Sequence, residues 1–149
     1  MTMIDMVKAM ARLAPEQRKT LLGERLRLFA EASEEERARG MREMMAALVT
    51  LPREEQKKLI GTRMQVLLEL PDAARNALLG THLRLMSGMP EEAQVGEVSI
   101  LNELMEEMPP QMRAVANEKM GGMMTPMLHQ FHSRQGKTYD WCGACQISG

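Results

Sequence analysis

The sequence predicts an all-α protein of about eight short helices, and three observations lead to that prediction. Apolar residues recur at the spacing of helices and not of strands, as at Ile60, Met64 and Leu67. Stretches of the chain repeat at an offset of 19 residues, so that the segment beginning at Leu51 matches the one beginning at Leu70. Prolines follow the same period, at Pro52, Pro71, Pro90 and Pro109.

Each unit of about 19 residues is predicted to form one helix of about four turns and a tight link. A proline at the first helical position removes no intrahelical hydrogen bond, and its ring fixes φ near the helical value. The acidic residues that follow it interact favourably with the positive end of the helix dipole. The residue before the proline is pushed out of helical geometry, which ends the preceding helix. In one unit, Ser33 and Glu36 are predicted to form a capping box in place of the proline.

Taken in order, the predicted helices span residues 2–12, 15–31, 33–49, 52–69, 71–87, 91–107, 109–120 and 126–134. Short links make successive helices antiparallel, so we expect hairpins that stack as an α-solenoid or close into a bundle. Gly121 and Gly122 are expected to stop the seventh helix, and Thr125 and Pro126 to begin the eighth. This predicts a helical-repeat domain over residues 1–124, and a short helix with a Cys/His tail over residues 125–149.

Composition and charge exclude several classes of function. A net charge of −1 and a pI near 6.3 predict no affinity for nucleic acid, which requires clustered Lys and Arg. No apolar run approaches the roughly 20 residues that cross a bilayer, and the N-terminus does not resemble a secretion signal. We therefore expect a cytoplasmic protein, in which two cysteines are more often reduced, metal-bound or catalytic than joined as a structural disulfide. The sequence contains no nucleophile elbow, P-loop or similar motif, so an enzyme is not the expected class.

The chain contains 17 methionines, which is unusual for 149 residues. Methionine fills irregular apolar space and also forms contact surfaces that adapt to different partners. We therefore interpret the chain as an interaction or assembly module, with Met-rich apolar helix faces that bind a protein partner or a second copy.

The unusual chemistry of the chain lies in its C-terminal tail. His129 and His132 are three residues apart and share one side of a helix, while Cys142 and Cys145 form a C-x-x-C sequence. Two imidazoles and two thiolates make a four-ligand tetrahedral set that suits zinc. The small residues Gly143 and Ala144 allow both sulfurs to face one ion. The sequence thus predicts a zinc site formed by His129, His132, Cys142 and Cys145.

Two other interpretations of the tail stay open. Residues 141–145, Trp-Cys-Gly-Ala-Cys, are similar to the active-site sequence of thioredoxins, with Ala where that family has Pro. The resemblance does not extend to the thioredoxin fold, because no βαβ pattern surrounds these residues, and it carries no catalytic residues over. A dithiol tail that exchanges disulfides through Cys142 and Cys145, independently of that fold, is the redox alternative. Alternatively, a metal or sulfur carrier could bind Cu(I) with added thioether ligands. Those thioethers would come from Met120, Met123, Met124 and Met127.

Overall fold

The structure, a computed structural model, describes residues 2–148 of the chain, with side chains as far as Gln146. Within these residues it contains eight α-helices and no β-strand, which confirms the predicted all-α class. The helices are α1 (Met3–Ala11), α2 (Pro15–Glu31), α3 (Glu34–Leu48), α4 (Arg53–Glu69), α5 (Asp72–Ser87), α6 (Glu91–Glu107), α7 (Pro110–Gln135) and α8 (Gly143–Ser148).

The starts of the helices follow the local chemistry of the repeat. Three helices begin one residue later than predicted. The prolines expected at their first positions are instead the cap residues directly before the helices, namely Pro52, Pro71 and Pro109. Ser33 caps α3, and its hydroxyl accepts a hydrogen bond from the backbone N–H of Glu36 at 3.2 Å. The helix starts are therefore fixed by residues adjacent in sequence.

The chain divides into two compact units, one ending at Pro90 and the other beginning at Glu91. In the first unit the two most extensive contacts join alternate helices, namely α2 with α4 and α1 with α3, while α5 packs equally against α2 and α3. A sequence repeat produces this regularity, since equal units make equal contacts with their neighbours. In the second unit, α7 packs against both α6 and α8.

A buried or half-buried side chain at one position of the repeat joins each helix to the end of the preceding one. The position is occupied by Arg18, Arg37, Gln56 and Arg75, at intervals of 19 residues. Each side chain donates a hydrogen bond to the carbonyl oxygen five residues earlier, over 2.8–3.2 Å. Carbonyls at the end of a helix lack intrahelical partners, so these donors satisfy acceptors that would otherwise be buried without a bond.

Two of these arginines also connect alternate helices. Arg18 Nε–H donates to Thr62 Oγ1 at 2.9 Å, and Arg37 Nε–H donates to Thr81 Oγ1 at 3.0 Å. Thr62 and Thr81 are themselves 19 residues apart and buried, so the second bond repeats the first. Sequence analysis missed these pairs, although the arginines follow the proline period and were a detectable signal.

Helix α7 contradicts the predicted stop at Gly121 and Gly122, because it continues through Thr125 and Pro126 to Gln135. Buried residues recur every four positions along one side of α7, at Ala116, Met120, Met124, Leu128 and His132. That stripe stays in register only if the helix is uninterrupted. Burial contributes about 1.5–3 kcal/mol for each large apolar side chain, which outweighs about 1 kcal/mol for each glycine and about 3 kcal/mol for the proline.

The tail ends in a helix that the sequence did not predict. Helix α8 begins directly after Cys142, whose carbonyl oxygen accepts hydrogen bonds from the N–H groups of Cys145 and Gln146. Six residues are too few for helical periodicity to be recognised. The number of helices is still eight, as predicted, because the predicted seventh and eighth helices form the single helix α7 and α8 is an additional one. Residues 124 and 125, where the sequence places the boundary between repeat and tail, are neighbours within α7.

Candidate metal centre

The second unit brings all four predicted metal ligands together. His129 and His132 lie in the last two turns of α7, Cys142 precedes α8 and Cys145 lies within α8. One ligand atom from each of the four lies within 4.8 Å of the others. His132, Cys142 and Cys145 are buried, and His129 is partly exposed.

The chain reaches this arrangement by turning back at the end of α7. Gly136 adopts φ 67°, in the left-handed region that glycine occupies without a Cβ penalty, and Lys137 N–H donates to His132 O at 3.1 Å. The rings of Tyr139 and Trp141 then pack on the imidazole of His132, with centroid distances of 4.3 Å and 5.4 Å. The turn therefore encloses His132 between the tail and its own helix.

Two side chains of α7 fasten the tail independently of the ligands. Asn117 Nδ2–H donates to the carbonyl oxygen of Trp141 at 3.3 Å. The guanidinium carbon of Arg113 lies 5.8 Å from the centroid of the Trp141 ring, which is within the range of a cation–π contact. The ligands are thus brought close by contacts that need no metal.

The distances within the cluster are close to those of a tetrahedral ion site. Cys145 Sγ lies 3.1 Å from His132 Nδ1 and 3.5 Å from His129 Nδ1. Bond lengths of about 2.0–2.1 Å to nitrogen and about 2.3 Å to sulfur separate neighbouring ligand atoms of tetrahedral zinc by roughly 3.3–3.8 Å. Since no separation exceeds 4.8 Å, the four groups need to approach by no more than about 1.5 Å to bind one ion.

A fifth residue, Asn102 on α6, binds the other side of the His132 ring. Its Oδ1 lies 2.6 Å from His132 Nε2, and its Nδ2–H group donates to Glu106 Oε1 at 3.0 Å and to the Tyr139 hydroxyl at 3.3 Å. Sequence analysis did not identify Asn102. The available signal was a polar residue on the apolar side of the sixth helix, where a buried amide requires hydrogen-bond partners.

Burial sets the protonation of this cluster in the metal-free chain. Burial lowers the pKa of His132, and the nearby His129 adds to this effect while Glu106 opposes it. Burial also raises the pKa of the Cys142 thiol, an effect that the backbone N–H of Cys145 partly offsets. His132 is therefore neutral at neutral pH, which is the form that binds metals, and a metal that binds Cys142 must displace the proton of its thiol.

Cys145, His132 and Asn102 also reproduce the contacts of a Cys–His–Asn catalytic group, in which the thiol and the amide oxygen bind opposite ring nitrogens. Burial argues against catalysis, because Cys145 is 2% exposed and His132 is 1% exposed, so a substrate carbonyl cannot reach the sulfur. A catalytic group would also leave His129 and Cys142 without a role. A four-ligand metal site uses all four residues.

No protein-family model, curated protein or solved structure matches the chain. Between residues 2 and 148, no helix is both long enough and apolar enough to span a membrane.

Proposed function

We propose that the chain is a non-enzymatic helical interaction or assembly module whose tail is fastened by one zinc ion. The observation that carries this proposal is the cluster of His129, His132, Cys142 and Cys145 within 4.8 Å. Four protein ligands complete a tetrahedral shell and leave no open position for substrate, which is typical of structural and not catalytic zinc. The ion would join α7 to the tail.

The Cu(I) and dithiol alternatives have weaker support. Met120 and Met124 are buried on the same stripe of α7 as Ala116 and Leu128, so they are core residues and not additional ligands. The raised pKa of Cys142 disfavours the thiolate that a redox-active C-x-x-C requires. Zinc bound by two imidazoles and two thiolates needs neither the methionines nor a reactive thiol.

Metal content is the direct test of the proposed site. Protein purified without chelator should contain about one zinc per chain, and the Cys142→Ser/Cys145→Ser variant should contain none. His82→Gln provides the matched control, because His82 is a buried histidine in the first unit and its replacement should leave zinc content unchanged. Cobalt(II) substitution should give the intense visible absorption of tetrahedral thiolate coordination.

Replacing the two cysteines is a sharper test than removing the tail from residue 125. Residues 125–135 form the end of α7 and include the buried Leu128 and Phe131, so their deletion would expose the core of the second unit. A folded wild-type protein that takes up no zinc and has two freely reactive thiols would contradict the metal site. That result would favour a dithiol carrier instead.

The interaction surface is proposed from the apolar side chains that folding leaves exposed. Eight methionines of the described residues are buried in the core, including Met45, Met64 and Met105. On α7, by contrast, Met112, Val115 and Met123 lie on one side and are each about 40% exposed. An exposed apolar stripe of this kind favours association with a protein partner or with a second copy.

Association through α7 can be tested with charged substitutions. Met112→Glu/Met123→Glu should reduce concentration-dependent self-association measured by sedimentation velocity. A pair of exposed, neutral positions on α2, Gln17→Glu/Thr20→Glu, adds the same two negative charges and controls for the change in charge. A wild-type chain that is monomeric at every concentration contradicts self-association, and equal effects of both pairs contradict the assignment to α7.

A further inference from the structure

We propose that Asn102 is the positioning residue of the metal centre, holding His132 in the tautomer that presents Nδ1 to the ion. Glu106 and Tyr139 in turn fix the orientation of Asn102. This inference rests on the proposed metal site, and it specifies the ligand atom and the residue that selects it. It also brings α6 into a centre whose direct ligands come only from α7 and the tail.

The first step is the orientation of the amide. Asn102 Nδ2 lies 3.0 Å from Glu106 Oε1 and 3.3 Å from the Tyr139 hydroxyl. An ionised carboxylate can only accept hydrogen bonds, so the NH₂ group of the amide must face Glu106. The opposite orientation would place the amide oxygen against a carboxylate oxygen. Oδ1 of Asn102 is therefore the atom that faces His132.

The second step is the tautomer of His132. Since Asn102 Oδ1 has no hydrogen, the atom 2.6 Å away, His132 Nε2, must donate. A neutral imidazole has one N–H group, so its Nδ1 carries a free lone pair. Nδ1 is also the ring atom nearest Cys145, with 3.1 Å between Nδ1 and Sγ. In the metal-free chain the Cys145 thiol donates to this lone pair, and a bound ion takes the place of that hydrogen.

The third step is the effect on binding. Asn102 is 6% exposed, and the Tyr139 ring lies on the imidazole at 4.3 Å, so the ring cannot turn without breaking a buried contact. Without the acceptor on Asn102, both tautomers of His132 become populated, and the Nδ1–H form cannot bind metal. Loss of an outer hydrogen-bond partner of a metal-bound histidine typically weakens affinity 10–100-fold, and we expect a loss of this size here.

The test combines two measurements on the full chain. Long-range ¹H–¹⁵N spectra of the metal-free protein report the tautomer of His132, and competition with a chromophoric chelator reports zinc affinity. Wild type should show the Nε2–H tautomer. Asn102→Leu keeps the side-chain volume but removes the acceptor, so the spectrum should show a mixture and zinc should bind 10–100-fold more weakly.

Two further variants separate positioning from packing. Asn117→Leu is the matched control, because Asn117 also binds the tail, through the Trp141 carbonyl, but does not touch an imidazole. It should leave the tautomer of His132 unchanged. Asn102→Asp/Glu106→Gln keeps an acceptor at His132 and reverses the polarity of the second bond, so it should restore the tautomer and most of the affinity.

The possible outcomes are distinct. A wild-type spectrum with the Nδ1–H tautomer overturns the proposal, as does a folded Asn102→Leu variant with wild-type zinc affinity. If Asn102→Leu does not fold, Glu106→Ala/Tyr139→Phe decides, because this variant removes both partners of the amide NH₂ group and keeps the aromatic ring on His132. An unchanged tautomer then overturns the proposal. A wild-type chain with the Nε2–H tautomer but no zinc uptake refutes the metal site, and with it the assignment of Nδ1 as a ligand atom.

Discussion

Thr62 and Thr81 accept hydrogen bonds from arginines two helices earlier, and this contact shows how single residues specify the stacking of the first unit. A guanidinium that is buried next to the end of a helix is stabilised by acceptors for its N–H groups. Backbone carbonyl oxygens accept hydrogen bonds from Nη1, and the threonine hydroxyl accepts one from Nε. The arginine–threonine hydrogen bond therefore favours the packing of α2 against α4 and of α3 against α5.

Replacing Thr62 by Val should destabilise the first unit by about 2 kcal/mol, because Arg18 Nε–H is left buried without its acceptor. Thr20→Val is the matched control, since Thr20 is exposed and its hydroxyl binds only the carbonyl of Glu16 in its own helix. That change should cost less than about 0.5 kcal/mol. Urea unfolding measures both values, and equal losses would contradict the role of the arginine–threonine pair.

Helix α7 depends on packing more than any other element, because its own sequence opposes it. Gly121, Gly122 and Pro126 lie in its interior, yet its buried stripe runs from Ala116 to His132. The space around Gly122 is open, with no heavy atom within 4 Å of a Cβ placed there. A close helix crossing therefore does not explain this glycine.

Gly122 inside α7 and Gly136 directly after it should respond in opposite ways to replacement by alanine. Gly122→Ala should stabilise the second unit by about 1 kcal/mol, because alanine has the higher helix propensity and meets no obstacle. Gly136→Ala should destabilise it by about 1–2 kcal/mol, because the φ of 67° is unfavourable for a side chain. Chemical denaturation monitored at Trp141, the single tryptophan, measures both. Changes of the same sign would contradict this account of the helix.

At the scale of the whole molecule, the buried histidine and thiol should confine the stability of the metal-free second unit to a window of pH. The pKa of His132 is lowered from 6.5, so below that pH the unfolded chain binds a proton that the folded chain resists, and stability falls on acidification. The pKa of Cys142 is raised from 9.0, so above that pH the unfolded chain loses a proton that the folded chain keeps, and stability falls again.

The unfolding free energy of chelator-treated protein, followed by Trp141 fluorescence, should therefore be highest between about pH 6.5 and pH 9. His132→Gln removes the histidine titration and should flatten the acid side of the profile. The Cys142→Ser variant should flatten the alkaline side. A wild-type profile without either slope would show that these two groups do not titrate differently on folding.

The amino-acid sequence by itself determined the helical class, most helix starts and the four residues of the candidate metal site. Proline and serine caps act on residues one to four positions away, so helix starts can be predicted from the sequence without knowledge of the tertiary structure. The spacing of His129 and His132, like that of Cys142 and Cys145, is also local. The three-residue spacing places both histidines on one side of a helix, and the small residues Gly143 and Ala144 let both cysteine sulfurs point the same way.

Only the tertiary structure decided which distant groups meet. The continuity of α7 depends on a buried stripe whose partners lie in α6 and the tail, and this packing outweighs the local preference of Gly121, Gly122 and Pro126 to end the helix. The contact of Asn102 with His132 joins residues 30 positions apart, and that of Arg18 with Thr62 joins residues 44 apart. Burial makes these bonds necessary, because a desolvated polar group must find a partner, and burial arises only when the helices pack.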